Sequence, residues 1–169
     1  MKNQKTRVEK IAFVGITASL AILLSYVEFL LPPIFVAVPG IKVGLPNVVI
    51  LFVLYRYGVR YAAFVSFVRL CISSVLFGNL MIFIYSAAGA VISLLVMAIL
   101  KKAEKLSALG VSVAGAVAHN LGQIVVAMLL LDTPQIAFYM IVLTFTGTVA
   151  GVFVGLCGAL LIKRIPHKR

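Results

Sequence analysis

Three charged side chains stand where an otherwise apolar sequence gives little reason for them: Glu28, Lys42 and Arg69. Placing a charge at the centre of a bilayer costs about 2.5–3.5 kcal/mol on insertion scales, so an ionisable residue outside the terminal clusters marks a place where charge is used. Arg69 has Ser66 and Ser73 at i−3 and i+4, a spacing that predicts a polar stripe turned toward other protein. Glu28, near the far end of the first apolar run, is the natural counter-charge for Arg69. The pair reads either as a structural ion pair or as part of a ligand-contacting surface.

A second constellation is Ala118-His119-Asn120-Leu121-Gly122-Gln123. His119 and Gln123 share a helical face at i and i+4, with Asn120 beside them, so three hydrogen-bonding side chains fall within one and a half turns. That density points to ligand contact or gating, with a satisfied interhelical network as the alternative. A metal centre is not expected, because the remaining histidine is His167 in the basic C-terminal tail. The third feature is Pro39-Gly40-Ile41-Lys42-Val43-Gly44-Leu45-Pro46-Asn47, whose prolines and glycines impose a bent approach to the next apolar run. Irregular backbone at membrane depth is tolerated where it is buried or lines a cavity, which would let Lys42 and Asn47 close over a ligand. An ordinary turn with a solvated lysine is the plainer reading. Tyr85-Ser86 could add hydrogen bonds to the same cavity.

Other chemistry is missing from the sequence. There is no Walker A pattern and no Ser/His/Asp or Cys/His arrangement with supporting residues, so no catalytic residue is assigned. Asp and Glu number only 4 in total, too few for the paired acidic clusters that hold magnesium diphosphates in prenyl-chain synthases. No cofactor is expected.

The elements that position these residues follow from composition. The 169 residues are 63% hydrophobic and 11% charged, with a mean hydropathy of +1.20, so lipid is the expected solvent. Turn signals divide the sequence into apolar runs at 11–31, 44–56, 60–77, 81–100, 107–131 and 138–162. At about 20 residues per span these predict an all-α, integral membrane bundle of six transmembrane helices over 11–162, and leave no room within it for a soluble catalytic domain. The run at 44–56 covers only ~20 Å, so it must tilt, borrow flanking residues or stop short of one face. Basic segments at 1–10 and 163–169 flank the bundle.

The net charge of +11 does not imply nucleic acid, because the basic residues lie at the edges of apolar runs. With both termini cytoplasmic, all of the 15 Lys and Arg residues fall inside except Lys42 and Arg69, as the positive-inside rule expects. A multi-pass protein of a bacterial plasma membrane follows. The run at 11–31 is too long for a typical secretory signal and reads as a retained helix. Cys71 and Cys157 lie inside apolar runs and read as small hydrophobes. Small residues recur every four positions at Gly110, Ala114, Ala118 and Gly122, and again at Gly147, Gly151, Gly155 and Ala159. Each series predicts close helix packing, or a face kept for a partner. The same choice attaches to Gly15, Thr17, Ser19 and Ala21.

Several stretches together resemble the Gx transporter family, often labelled heptaprenyl diphosphate synthase component I. They are Leu24-Ser25-Tyr26-Val27-Glu28, the Pro39 to Asn47 segment, Arg69 with Leu76-Phe77-Gly78, Tyr85-Ser86-Ala87-Ala88-Gly89, and Val111 through Gln123. The resemblance runs from about residue 11 to 160. The wider architecture is similar to the substrate-binding S components of energy-coupling factor (ECF) importers. It implies an outward-facing pocket, a transmembrane coupling subunit and two ATPases as partners, and docking of the coupling subunit on the first helix at Gly15, Ser19 and Ala21. The expected function is therefore a non-enzymatic binding subunit that captures a small molecule with Glu28, Lys42, Asn47, Arg69, His119, Asn120 and Gln123. A hydrophobic vitamin, a quinone precursor, a flavin or an isoprenoid phosphate would each suit such a pocket. The alternatives are a non-catalytic accessory protein of prenyl or quinone biosynthesis or flavin-linked electron transfer, and an ion channel or proton-linked carrier using Glu28, Arg69 and His119 as a relay.

Overall fold

A helix that is apolar on every side belongs in an interior, and the shortest helix of this protein takes that position. In the computed structural model, which describes residues 2–31 and 44–165 and the side chains of residue 8 onward within them, this is α2, Leu45–Tyr57. Val49, Leu51, Val53 and Leu54 are each no more than 1% exposed. Around α2 stand α1 (Lys2–Leu30), α3 (Val59–Phe77), α4 (Leu80–Ala103), α5 (Ala108–Leu131) and α6 (Tyr139–Arg164), the last entered through a 3₁₀ turn at Pro134–Phe138. These five are long and apolar enough to cross a membrane, and the described residues contain no strand. The expected all-α membrane bundle is observed, with five long helices and a 13-residue sixth.

The helices alternate in direction. Phe13 in the first half of α1 packs against Tyr57 at the end of α2, and Lys101 Nζ near the end of α4 donates to Leu54 O at 2.7 Å. Arg56 donates to Ile162 O of α6 at 3.4 Å. At the opposite end Tyr26 and Phe29 of α1 pack on Phe77, where α3 finishes. One end of the bundle is thus basic, carrying Arg56, Arg60, Lys101, Lys102, Lys163 and Arg164, and the other is apolar and aromatic. Neighbours run α1–α3–α4–α5–α6, and α2 closes the ring by packing against α6, α1 and α3. Because α2 spans only about 20 Å from the basic end, its other end stops inside the bundle. Gly44 begins it at φ +80° and Gly58 ends it at φ +88°, left-handed conformations that favour glycine.

Observed boundaries lie within three residues of the apolar runs for α2 to α6. α1 differs, since its helix continues back to Lys2 through the basic segment that the sequence separates at residue 10. Backbone hydrogen bonding does not stop where hydropathy does.

The small-residue faces shift as well. In α5 the buried positions are Val111, Ser112, Gly115, Ala118, Gly122 and Ile124, and in α6 they are Gly147, Gly151, Val154, Gly155 and Gly158. An i+4 series drifts about 40° per step around a 3.6-residue helix, so Gly110 and Ala159 leave the seam. A 4-3-4 spacing stays on it. The close approaches are between backbones. A Cβ at Gly89 would lie 2.7 Å from His119 O, and one at Gly151 would lie 2.7 Å from Val113 Cα. In α1 the four small residues fall on opposite sides: Thr17 and Ala21 are buried against the core, whereas Gly15 and Ser19 are exposed. Ala21, at 0% exposure, is therefore not on a docking face. Spacing of two places residues about 200° apart on a helix, which is why the series cannot act as one surface.

Candidate functional site

Where α2 stops, the bundle is not filled. A cavity of about 90 Å³ opens between α1 to α6 beside the N-terminal end of α2, several times the roughly 10–15 Å³ that one water requires. Six of the seven residues singled out in the sequence line it: Glu28 from α1, Asn47 from α2, Arg69 from α3, and His119, Asn120 and Gln123 from α5. Lys42, the seventh, lies outside the described residues. Glu28 and Arg69 thus face the same space as the His119–Gln123 group, although they come from α1 and α3 and the group from α5.

Glu28 and Asn120 are each held by a backbone group of a neighbouring element. Glu28 Oε1 accepts a hydrogen bond from the backbone N–H of Gly44, tying the end of α1 to the start of α2. The N–H groups of a helix's first turn have no intrahelical partners and attract negative charge, so the Glu28 carboxylate is well placed there. Asn47 N donates to Gly44 O at 2.9 Å and completes the turn. Asn120 Nδ2 donates to Leu143 O at 2.6 Å, joining α5 to α6. Gly147 makes this possible, because a Cβ there would sit 2.5 Å from the Asn120 amide nitrogen. The His119 ring lies over Gly89, where an added Cβ would meet Cε1 at 3.0 Å.

Arg69 differs. Its Nε is buried with no hydrogen-bond partner, and Glu28 acts on the guanidinium electrostatically. The polar stripe of α3 faces inward as expected, with Ser66 buried and Ser73 Oγ buried without a hydrogen-bond partner.

Further lining residues were not singled out by sequence: Ser93 and Met97 of α4, Ser112 of α5, and Leu143, Thr146 and Val154 of α6. Their signal is a seven-residue spacing, Ser86 to Ser93 and Ser112 to His119, which returns a side chain to nearly the same helical face. Ser86 lines the cavity, as anticipated, while its neighbour Tyr85 is not among the lining residues. The charged side chains sit in one part of the cavity. Glu28, Asn47, Arg69 and Gln123 stand toward the end away from the basic clusters, and Leu51, Met97 and Val154, with Ser93 and Ser112, toward the basic end.

A family model described as heptaprenyl diphosphate synthase component I matches residues 17–161. The match covers every cavity-lining residue. No curated protein and no solved structure matches the chain. The chain belongs to the heptaprenyl diphosphate synthase component I family, the one its sequence resembles.

Proposed function

We propose that this member of the heptaprenyl diphosphate synthase component I family is a substrate-binding membrane subunit of the S-component kind, serving an ECF-type importer. The observation that carries the reading is the convergence of Glu28, Asn47, Arg69, His119, Asn120 and Gln123 on one cavity inside a bundle whose core is otherwise mostly apolar. Burying polar groups is expensive unless they are satisfied or used, and six of them at one place define a binding surface. In this reading the basic end faces the cytoplasm of a bacterial cell and the cavity opens outward. The cargo is a small vitamin-like, quinone-precursor, flavin or isoprenoid-type molecule. Energy comes from a transmembrane coupling subunit and two ATPases, with the exposed Gly15 and Ser19 side of α1 as the docking face.

The family description favours a second reading, a membrane accessory component of prenyl or quinone biosynthesis. Catalysis by this chain is the weaker form of it. Of its four carboxylates only Glu28 lines the cavity, whereas magnesium diphosphate chemistry draws on clustered acidic ligands. Purification of the native membrane complex in mild detergent separates the two. Recovery of a coupling subunit with two ATPases supports the importer, and recovery of soluble prenyl-transferring enzymes without them contradicts it.

A further inference from the structure

Hydrogen-bonding capacity left over in a buried site describes what the site must receive. Three observations set that capacity here. Arg69 Nε is buried without a hydrogen-bond partner in a cavity wall. Glu28, the one carboxylate among the described lining residues, already accepts from Gly44 N at the start of α2, so part of its charge serves the positive end of that helix. Asn120, which lines the cavity, has committed its amide nitrogen to Leu143 O, so its remaining acceptor is the amide oxygen.

We infer that the ligand is a small amphipathic monoanion, its carboxylate-type head on Arg69 and its apolar body directed toward Leu51, Met97 and Val154. This rests on reading the cavity as a binding site. Among the described lining residues Arg69 is the one lysine or arginine, and, partly offset by Glu28, it can neutralise at most one ligand charge. A diphosphate, with two or three negative charges, would leave charge uncompensated in a low-dielectric space, where that is costly. The apolar body follows from the uncharged wall beyond Arg69. Ser112 and Gln123 are eleven residues apart on α5, so the lined stretch is roughly 16 Å long, and toward the basic end its lining is Leu51, Met97 and Val154 with the small hydroxyls of Ser93 and Ser112. A hydrogen-bond donor on the ligand near its head would also satisfy Asn120.

The test uses the full-length protein in phosphatidylcholine nanodiscs, titrated calorimetrically with octanoate, its neutral isostere octanamide, and octyl diphosphate. Octanoate is expected to bind at least tenfold more tightly than either of the others. Glu28→Gln, which keeps the acceptor for Gly44 N and removes the offsetting charge, is expected to tighten octanoate binding, and Arg69→Met to abolish its advantage over octanamide. Equal or tighter binding of octanamide overturns the inference while leaving a ligand-binding subunit standing, as does a preference for the diphosphate. Failure of all three probes to bind the wild-type protein also overturns it. The wild-type comparison needs no variant to fold, and the importer reading is judged separately by the subunits that co-purify.

Discussion

Arg69 and Asn120 illustrate two fates of a polar side chain in this bundle. Asn120 is fixed by its 2.6 Å bond to Leu143 O and joins α5 to α6 as well as facing the cavity. Removing a buried hydrogen bond between membrane helices costs about 0.5–2 kcal/mol. Asn120→Ala should therefore lower stability by about that amount in a detergent unfolding titration. Glu28 behaves similarly at the end of α1. Glu28→Gln should cost less than Glu28→Ala by about 1–2 kcal/mol in the same titration, because both variants remove the counter-charge of Arg69 but an amide oxygen can still accept from Gly44 N. An equal loss from both variants would show that the charge, and not the hydrogen bond, is what anchors α2. The chemistry-bearing residues were legible in the sequence because lipid makes every polar intrusion conspicuous. What each one touches was not, since the Leu143 carbonyl and the Gly44 amide are backbone groups that no residue type announces.

Among the elements, α2 has the clearest physical cause. Its apolar character on all sides places it at the centre, and its length of 13 residues leaves the space that becomes the cavity. The shortness of this span is plain from the spacing of turn residues, but its buried position depends on how α1, α3 and α6 pack against it. Glycine seams show the same division. Small residues mark α5 and α6 as closely packed, yet the true seam follows the 3.6-residue period to Gly115 and Gly158 and not the fixed four-residue step. An ordered set of substitutions tests this geometry. Gly89→Ala meets the His119 backbone carbonyl and should cost about 1–3 kcal/mol. Gly115→Ala meets Met97, a flexible side chain that can move, and should cost less. Gly15→Ala meets nothing within 4 Å and should be neutral. Thermal stability in detergent ranks the three, and a destabilised Gly15→Ala would show that the exposed side of α1 is covered within this chain.

At the scale of the whole molecule, orientation and cavity together make the functional argument. The alternating helices gather the basic residues at one end, a feature readable from the positions of charge along the sequence. In a background with Cys71 and Cys157 replaced by alanine, a membrane-impermeant maleimide added to intact cells should label Asn79→Cys in the α3–α4 turn and leave Lys102→Cys unlabelled. The reverse pattern would invert the proposed orientation and put the cavity on the cytoplasmic side. The central claim, that the polar residues converging beside α2 form a ligand site, is tested most directly by mass spectrometry of small molecules retained through gentle purification. The wild-type protein should carry a ligand in near-stoichiometric amount, and folded Arg69→Ala and His119→Ala proteins should lose it or retain less than a tenth. Undiminished retention by both variants would contradict the assignment.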